Sequence, residues 1–484
     1  MSVIRHATLV SCLGLLAFGG FASDARASSF ALREESAEGL GNAFAGEAAK
    51  GDDASSAYYN PAGMARLNSN EIDGTVTWIQ PDVVFHGSNS SVFGGNVSGV
   101  TGGNDVKPAA VGSTFAVWNA SPDVKIGLAV AVPFGLRSEY TENWVGRYQA
   151  LATDVTDYEI SPTISYRVTS RLSIGGGPRI DYFSARLTQA INMQAIGLGA
   201  AQQEAAGAQR AAAGAQAAAA AGNTTQAAAL SQQATQLGGL ASTTAGLASN
   251  WGDGEGRLEG DDVGVGYTIG ALYEIDDATR VGINYRSRIY HSMATNVTYQ
   301  TPNTLALAGP LAANFASTAV TAKLPLPDSA SLGFYHDIDS EWSVMSTVEW
   351  TDWSLFKQLN VVDSAGAAIV SLPQMSRDTW YFALGANYKP NEKWVLHMGT
   401  AYDQTPVQDQ YRSPNLPDGD RVWASFGISY AVTPAAKLNL SYAHLFNTGK
   451  ASVNYTSASP AAGTLVGYYD NSVNIASAGF GIKF

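Results

Sequence analysis

The chain has six histidines, and setting aside His6 near its start leaves His86, His291, His336, His397 and His444 as the groups from which acid–base or metal chemistry would be built. A hydrolytic site needs a nucleophile, a base and an orienting carboxylate or amide within hydrogen-bond reach. The one close pairing, His291-Ser292, is adjacent in sequence, and neighbours on a strand point to opposite faces. No His/Asp cluster has metal-ligand spacing, so neither a catalytic site nor a metal or other cofactor is expected. Gly39-x-Gly41 is a fragment of a phosphate loop without the strand–helix frame such a loop needs. The cations offer a different chemistry, capture of an anionic head group. Arg286, Arg288 and Lys323 fall in alternating segments where they would line an interior. Their blander role is pairing with acids such as Glu349.

The elements that would position these groups begin with an export signal. Arg5 and His6 precede an apolar run from Ala7 to Ala22, and Ala25-Arg26-Ala27 offers a cleavage site, which makes residues 1–27 a secretory signal peptide. As a membrane anchor the run is too short and too broken by glycine. Cys12 is the only cysteine, so the mature chain carries no disulfide, thiolate metal site or cysteine nucleophile. Losing Arg5, Arg26 and Asp24 takes Lys+Arg from 28 to 26 and Asp+Glu from 41 to 40, a net charge of −14. That acidity argues against nucleic acid. No stretch of 18 apolar residues follows Ala27, which excludes a helical span. Aromatics are nevertheless plentiful at 10% and charged residues sparse at 14%.

Alternation explains that composition. Val263, Val265, Tyr267, Ile269, Ala271 and Tyr273 share one strand face, with Gly264, Gly266, Thr268 and Gly270 on the other. Val281, Ile283 and Tyr285 alternate with Asn284 and Arg286, and Val422 to Tyr430 and Leu438 to Tyr442 repeat the pattern. Short turns at 119–123, 169–171, 276–279, 337–341, 389–392 and 433–436 alternate with long connections at 87–107, 136–149, 191–260, 301–316, 361–374, 403–420 and 447–470. Short turns on one side and long loops on the other are the asymmetry of an outer-membrane barrel. A soluble sandwich shares the alternation but not the export signal or the loop pattern. The segments predict a fourteen-stranded antiparallel transmembrane β-barrel over residues 70–484. Its last strand ends Phe480-x-Ile482-x-Phe484, like the signal read by barrel-assembly machinery. Outer-membrane lipid would face the apolar parity.

Residues 28–69 lack alternation and are rich in Gly, Ala, Ser and Asp, which suits a plug in so wide a lumen. Residues 191–250 are dominated by Ala and Gln. Ala is the best helix former, so helices in an external loop are expected, broken at Gly214, Gly222 and Gly238-Gly239. A flexible insertion without a ligand role is the alternative.

Several blocks resemble the FadL family of outer-membrane transporters for long-chain fatty acids and other hydrophobic compounds. They are Tyr59-Asn60-Pro61-Ala62-Gly63-Met64, Val132-Pro133-Phe134-Gly135, Trp144-Val145-Gly146-Arg147-Tyr148, Leu258-Glu259-Gly260-Asp261-Asp262, Tyr285-Arg286-Ser287, Trp350–Leu359 and Pro417-Asp418-x-Asp420-Arg421. The resemblance covers nearly the whole mature chain in order. It implies that residues 28–69 form an N-terminal hatch, with Phe30, Asn60, Pro61 and Ala62 among its residues. It implies a kinked third strand at Val132, Pro133, Phe134 and Gly135 that opens the wall sideways. Pro133 cannot donate a ladder hydrogen bond and Gly135 tolerates unusual dihedrals, so a break there is plausible on physical grounds too. An ordinary strand end at that point, and a purely structural role for Asn60-Pro61-Ala62, remain open.

In a fatty-acid-transporting member two basic side chains meet the carboxylate. The matching positions here are Gln189 and Leu372. Arg186, Arg286, Arg288 and Arg377 are candidates to replace them. Without such a cation, a neutral aromatic or aliphatic hydrocarbon becomes the alternative cargo. A hydrolase or an open general porin is disfavoured, the first by its scattered histidines and the second by the large plug. The expected molecule is a monomer carrying a long-chain fatty acid or similar hydrophobic small molecule passively inward.

Overall fold

Two-residue alternation builds the wall, because each strand sends one parity outward and the other inward. The computed structural model describes residues 30–90, 95–104, 106–457 and 459–484; the signal-peptide reading of residues 1–27 lies outside them. The first half of the wall is β1 (Glu71–Ser90), β2 (Ala109–Asn119), β3 (Val124–Ala131), β4 (Gly135–Glu139), β5 (Ala152–Arg167), β6 (Leu172–Ile191), β7 (Gly254–Glu274), β8 (Thr279–Arg286), β9 (Ile289–Gln300) and β10 (Thr318–Leu326). The second half is β11 (Ser329–Asp337), β12 (Trp342–Thr351), β13 (Gln358–Asp363), β14 (Ala368–Pro373), β15 (Thr379–Asn391), β16 (Trp394–Asp403), β17 (Arg421–Thr433), β18 (Ala436–Asn447), β19 (Ala451–Thr456) and β20 (Thr464–Lys483). Six crossings are interrupted midway, so these segments form a closed antiparallel barrel of 14 strands. Closure is made by β1 on β20, from Glu71 opposite Lys483 to Ser90 opposite Thr464.

The outward parity is as expected. Val263, Val265, Tyr267 and Ile269 are exposed, as are Phe426, Leu440, Phe480 and Phe484. The short turns lie where alternation ends. Two expected loops are instead strand: 361–374 is largely the β13–β14 hairpin, and 447–470 contains β19 and the start of β20. A long excursion must satisfy its backbone polar groups, and continuing the ladder does so.

Residues 30–69 occupy the lumen. They form α1 (Ala37–Gly41), α2 (Glu47–Lys50), α3 (Ser56–Tyr59) and a 3₁₀ turn over Pro61–Arg66. Inward-facing glycines of the wall make room for this backbone. A Cβ at Gly282 would lie 1.8 Å from the Ala48 carbonyl oxygen, and one at Gly399 2.1 Å from the Asn42 carbonyl carbon. The wall and the plug therefore touch main chain to main chain.

The Ala/Gln-rich insertion is an antiparallel helical hairpin, α4 (Met193–Ala220) and α5 (Thr224–Ala248). Only Gly222, at φ +76°, breaks it. Gly214 and Gly238-Gly239 stay helical, contrary to expectation. A Cβ at Gly214 or Gly207 would lie 3.3 or 3.2 Å from Leu230 or Leu237 of the facing helix, so close packing offsets the low helix propensity of glycine.

Candidate functional site: a stoppered break in the wall beside an apolar cavity

The wall is broken beside Pro133. Along β3, Lys125 to Val130 pair with β2, and the ladder then leaves at Val132–Phe134 before β4 resumes against β5. Across this break Ala109–Ser113 of β2 pair with β1 but not with β3 or β4. The plug fills the vacancy. Gly135 N–H donates to the Phe30 carbonyl at 2.8 Å, and Leu32 N–H donates to the Pro133 carbonyl at 2.7 Å. Val132 N–H donates to Glu35 Oε1 at 3.0 Å, and the Ser113 hydroxyl donates to the Glu35 carbonyl. The break thus satisfies its buried backbone groups with the plug's first residues.

Beside the break lies an apolar cavity. Phe30, Leu136, Val155, Phe183, Leu258, Met293, Leu324, Phe356, Leu359 and Leu372 supply most of its wall, with Thr153, Thr295, Gln374 and Asn415 as its polar members. No charged side chain lines it. A second, more polar cavity lies along the plug and is bounded by Arg33, Tyr58, Phe134, Arg286, Glu349 and Trp353 among others. Phe30 stands between the two. Its ring is 5.5 Å from Phe134 and 5.1 Å from Trp353 on one side, and 6.4 Å from Phe356 on the other.

The candidate head-group residues do not converge on the apolar cavity. Arg186 sits on the opposite face of β6 from the lining residues Ala185 and Leu187, paired with Asp154 at 2.8 Å. Gln189 is exposed beyond the lining. Lys323 points away, between inward-facing Ala322 and Leu324. Arg288 is turned outward rather than into the lumen, because the interruption after Arg286 shifts parity and a one-residue shift reverses every face. It binds Asp328 at 2.7 Å and Asp352 at 3.3 Å. Arg377 lies half-exposed in the outer loops, 3.6 Å from Asp420. Arg286 faces the polar cavity, and there both oxygens of Glu159 accept from its Nη2 at 2.7 and 2.8 Å.

Of the hatch residues, Asn60 Nδ2 donates to the Ala48 carbonyl at 2.6 Å and to Ala271 of the wall at 3.1 Å, while its Oδ1 accepts from Ala62 N–H at 3.1 Å. Pro61 opens the 3₁₀ turn, and Ala62 is fully buried beneath it. His291 lies between Asp181 at 3.1 Å and Asp262 at 3.3 Å, with exposed Ser292 on the other face of the strand.

Sequence reasoning named Phe30 and Leu372, both in the lining, but missed most of the other lining residues because it assigned apolar positions to the outer surface. The signal was present in β10: Val320, Ala322, Leu324 and Leu326 are the buried parity there, opposite Lys323. That inverted code marks a strand whose lumen side is greasy.

Comparison with known proteins agrees with this architecture. Residues 20–484 match the family described as outer membrane protein transport protein (OMPP1/FadL/TodX). The chain is 27% identical over 434 residues to the long-chain fatty acid transport protein of Escherichia coli K12, covering 87% of this chain and 89% of that protein. It is 26% identical to outer membrane protein P1 of Haemophilus influenzae, over 90% of this chain and 89% of that one. Among solved structures, a Pseudomonas aeruginosa FadL homologue superposes with a TM-score of 0.79 at 24% identity, covering 94% and all (100%) of the two chains. The Pseudomonas putida toluene transporter TodX superposes at 0.62 and 17% identity, covering 93% and 98%. The chain is an outer-membrane β-barrel and belongs to the OMPP1/FadL/TodX family of outer membrane transport proteins.

Proposed function

We propose that this barrel takes up long-chain fatty acids or similarly shaped hydrophobic molecules passively. External loops capture them, the apolar cavity holds them, and the break at Val132–Gly135 releases them into the outer leaflet. The observation that carries this reading is Phe30, whose ring closes the apolar cavity and whose carbonyl stoppers the break. A methylene taken from an apolar site into water loses about 0.8 kcal/mol, so a greasy route avoids a barrier that an aqueous pore imposes. The relatives named for fatty acids and for toluene support both a long-chain cargo and, as a second reading, a neutral hydrocarbon. The uncharged lining favours the second where the head group is concerned.

In the same reading residues 28–69 act as the hatch, residues 1–27 as the signal peptide, and Phe484 as the handle for the assembly machinery. The barrel works as a monomer and performs no catalysis. Gly135→Val, which fills the break, should abolish uptake of a fluorescent fatty acid while the protein still reaches the outer membrane. Normal uptake would sink the lateral route. Deleting residues 28–69 should open a large conductance in planar bilayers; an unchanged conductance would count against the plug.

A further inference from the structure

One polar side chain of the apolar cavity is held ready without a partner. Of the four polar lining residues, Thr295 donates its hydroxyl to the Glu259 carbonyl, and Thr153 donates to Asn415 Oδ1 at 2.9 Å. Gln374 is 9% exposed and lines the cavity, and its side-chain amide makes no hydrogen bond among the described residues. Its amide atoms are not among the fully enclosed unpartnered ones, so they keep access to the cavity, where a ligand can meet them. Its backbone is clamped: the Lys357 carbonyl accepts from Gln374 N–H at 2.9 Å and from Met375 N–H at 2.8 Å, and Met375 adopts a left-handed φ of +45°.

A primary amide offers one acceptor and two donors. A protonated carboxyl, a hydroxyl or another amide satisfies both sides. A carboxylate only accepts, so it can take the amide N–H groups but leaves the amide oxygen unmatched and its own charge unpaired in an apolar enclosure, which is costly. No cation lines the cavity to relieve it. His291, stacked on the lining Phe183 at 5.1 Å, is flanked by Asp181 and Asp262, and the Lys357 ammonium is held by the Ser376 carbonyl outside the lining. We propose that Gln374 is the head-group residue of this cavity and selects amphiphiles with an uncharged, hydrogen-bonding head, so that a fatty acid is held there in its protonated form. This rests on the uptake function above.

The test is equilibrium binding of oleyl alcohol, oleate and hexadecane to the refolded full chain at pH 9, for wild type, Gln374→Leu and Gln374→Arg. Wild type should bind the alcohol about tenfold tighter than oleate, and Gln374→Leu should cut alcohol affinity about tenfold while leaving hexadecane unchanged. Gln374→Arg should bring oleate above the alcohol. Oleate bound as tightly as the alcohol by wild type, or alcohol affinity indifferent to Gln374→Leu, overturns the assignment. Loss of hexadecane binding in wild type would instead overturn the uptake reading itself.

Discussion

The N–H of Gly135 donates to the carbonyl of Phe30 at 2.8 Å, so the break in the wall and the tip of the plug form one hydrogen-bonded unit. The Phe30 ring simultaneously separates the apolar cavity from the polar one. Freeing the ligand path and freeing the break are thus the same movement, withdrawal of the plug's first residues.

Phe30→Ala should remove the partition while keeping the main-chain contact. Buried Phe→Ala substitutions cost about 3–5 kcal/mol, here concentrated at the plug's tip. Uptake of a fluorescent fatty acid per barrel at equal surface abundance is expected to rise. An unchanged rate would mean that the ligand does not pass this ring.

The plug should loosen as pH rises. Burial pushes the Glu35 carboxyl up to about 8 against the opposing Val132 amide, and Glu34 up to about 7. A released plug would expose both carboxyls at their ordinary value of 4.5. Between these values the seated plug holds protons that the released plug has lost, so its stability is full below pH 4.5 and falls as pH rises through about 8. Burial would also raise Glu38, but Lys437 at 2.6 Å outweighs it and holds that group low, placing its effect in the acid range outside this window. Hydrogen exchange of plug amides, corrected for intrinsic rates, should show more opening at pH 8 than at pH 5. Glu35→Gln should flatten part of that slope, the rest coming from Glu34 and from Glu47, which burial also raises to about 7.

Asn60→Ala removes the bonds to Ala48, Ala271 and Ala62, about 3 kcal/mol at roughly 1 kcal/mol each. Exchange of amides 48–64 should accelerate about a hundredfold while the barrel ladder stays protected. Gly270→Ala should do the same from the other side, because its Cβ would lie 2.0 Å from Asn60 Oδ1.

Arg286→Ala should act on stability and not on ligand choice. It leaves buried Glu159 with Arg179 as its remaining ion-pair partner, and breaking a buried pair costs about 3–5 kcal/mol. The urea midpoint should fall, with oleyl alcohol affinity unchanged.

Removing α4 and α5 from Gly197 to Leu247 in favour of a short linker should leave the barrel resistant to SDS without heating. The two helices pack chiefly on each other, with Leu230 and Leu237 seated on Gly214 and Gly207. Loss of the folded gel form would show that the hairpin supports the wall.

Much of this molecule was legible in order along the chain. The outward parity of Val263–Ile269 and Leu438–Tyr442, the tight turns, the helical character of 191–250 and the break at Pro133 are local properties, set by two-residue alternation, turn chemistry and a missing N–H. What Arg186, Arg288 and Gln374 face was not local. Arg288 turned outward because an interruption after Arg286 shifted the register, and Arg186 stayed outside because Ala185 and Leu187 own the inner parity of β6. Whether an apolar parity meets lipid or a lumen depends on which strands curl round to face it across the barrel. Closure of β1 on β20 decides that, and with it the cavity, the seat of Phe30 and the exposure of Gln374 to a ligand.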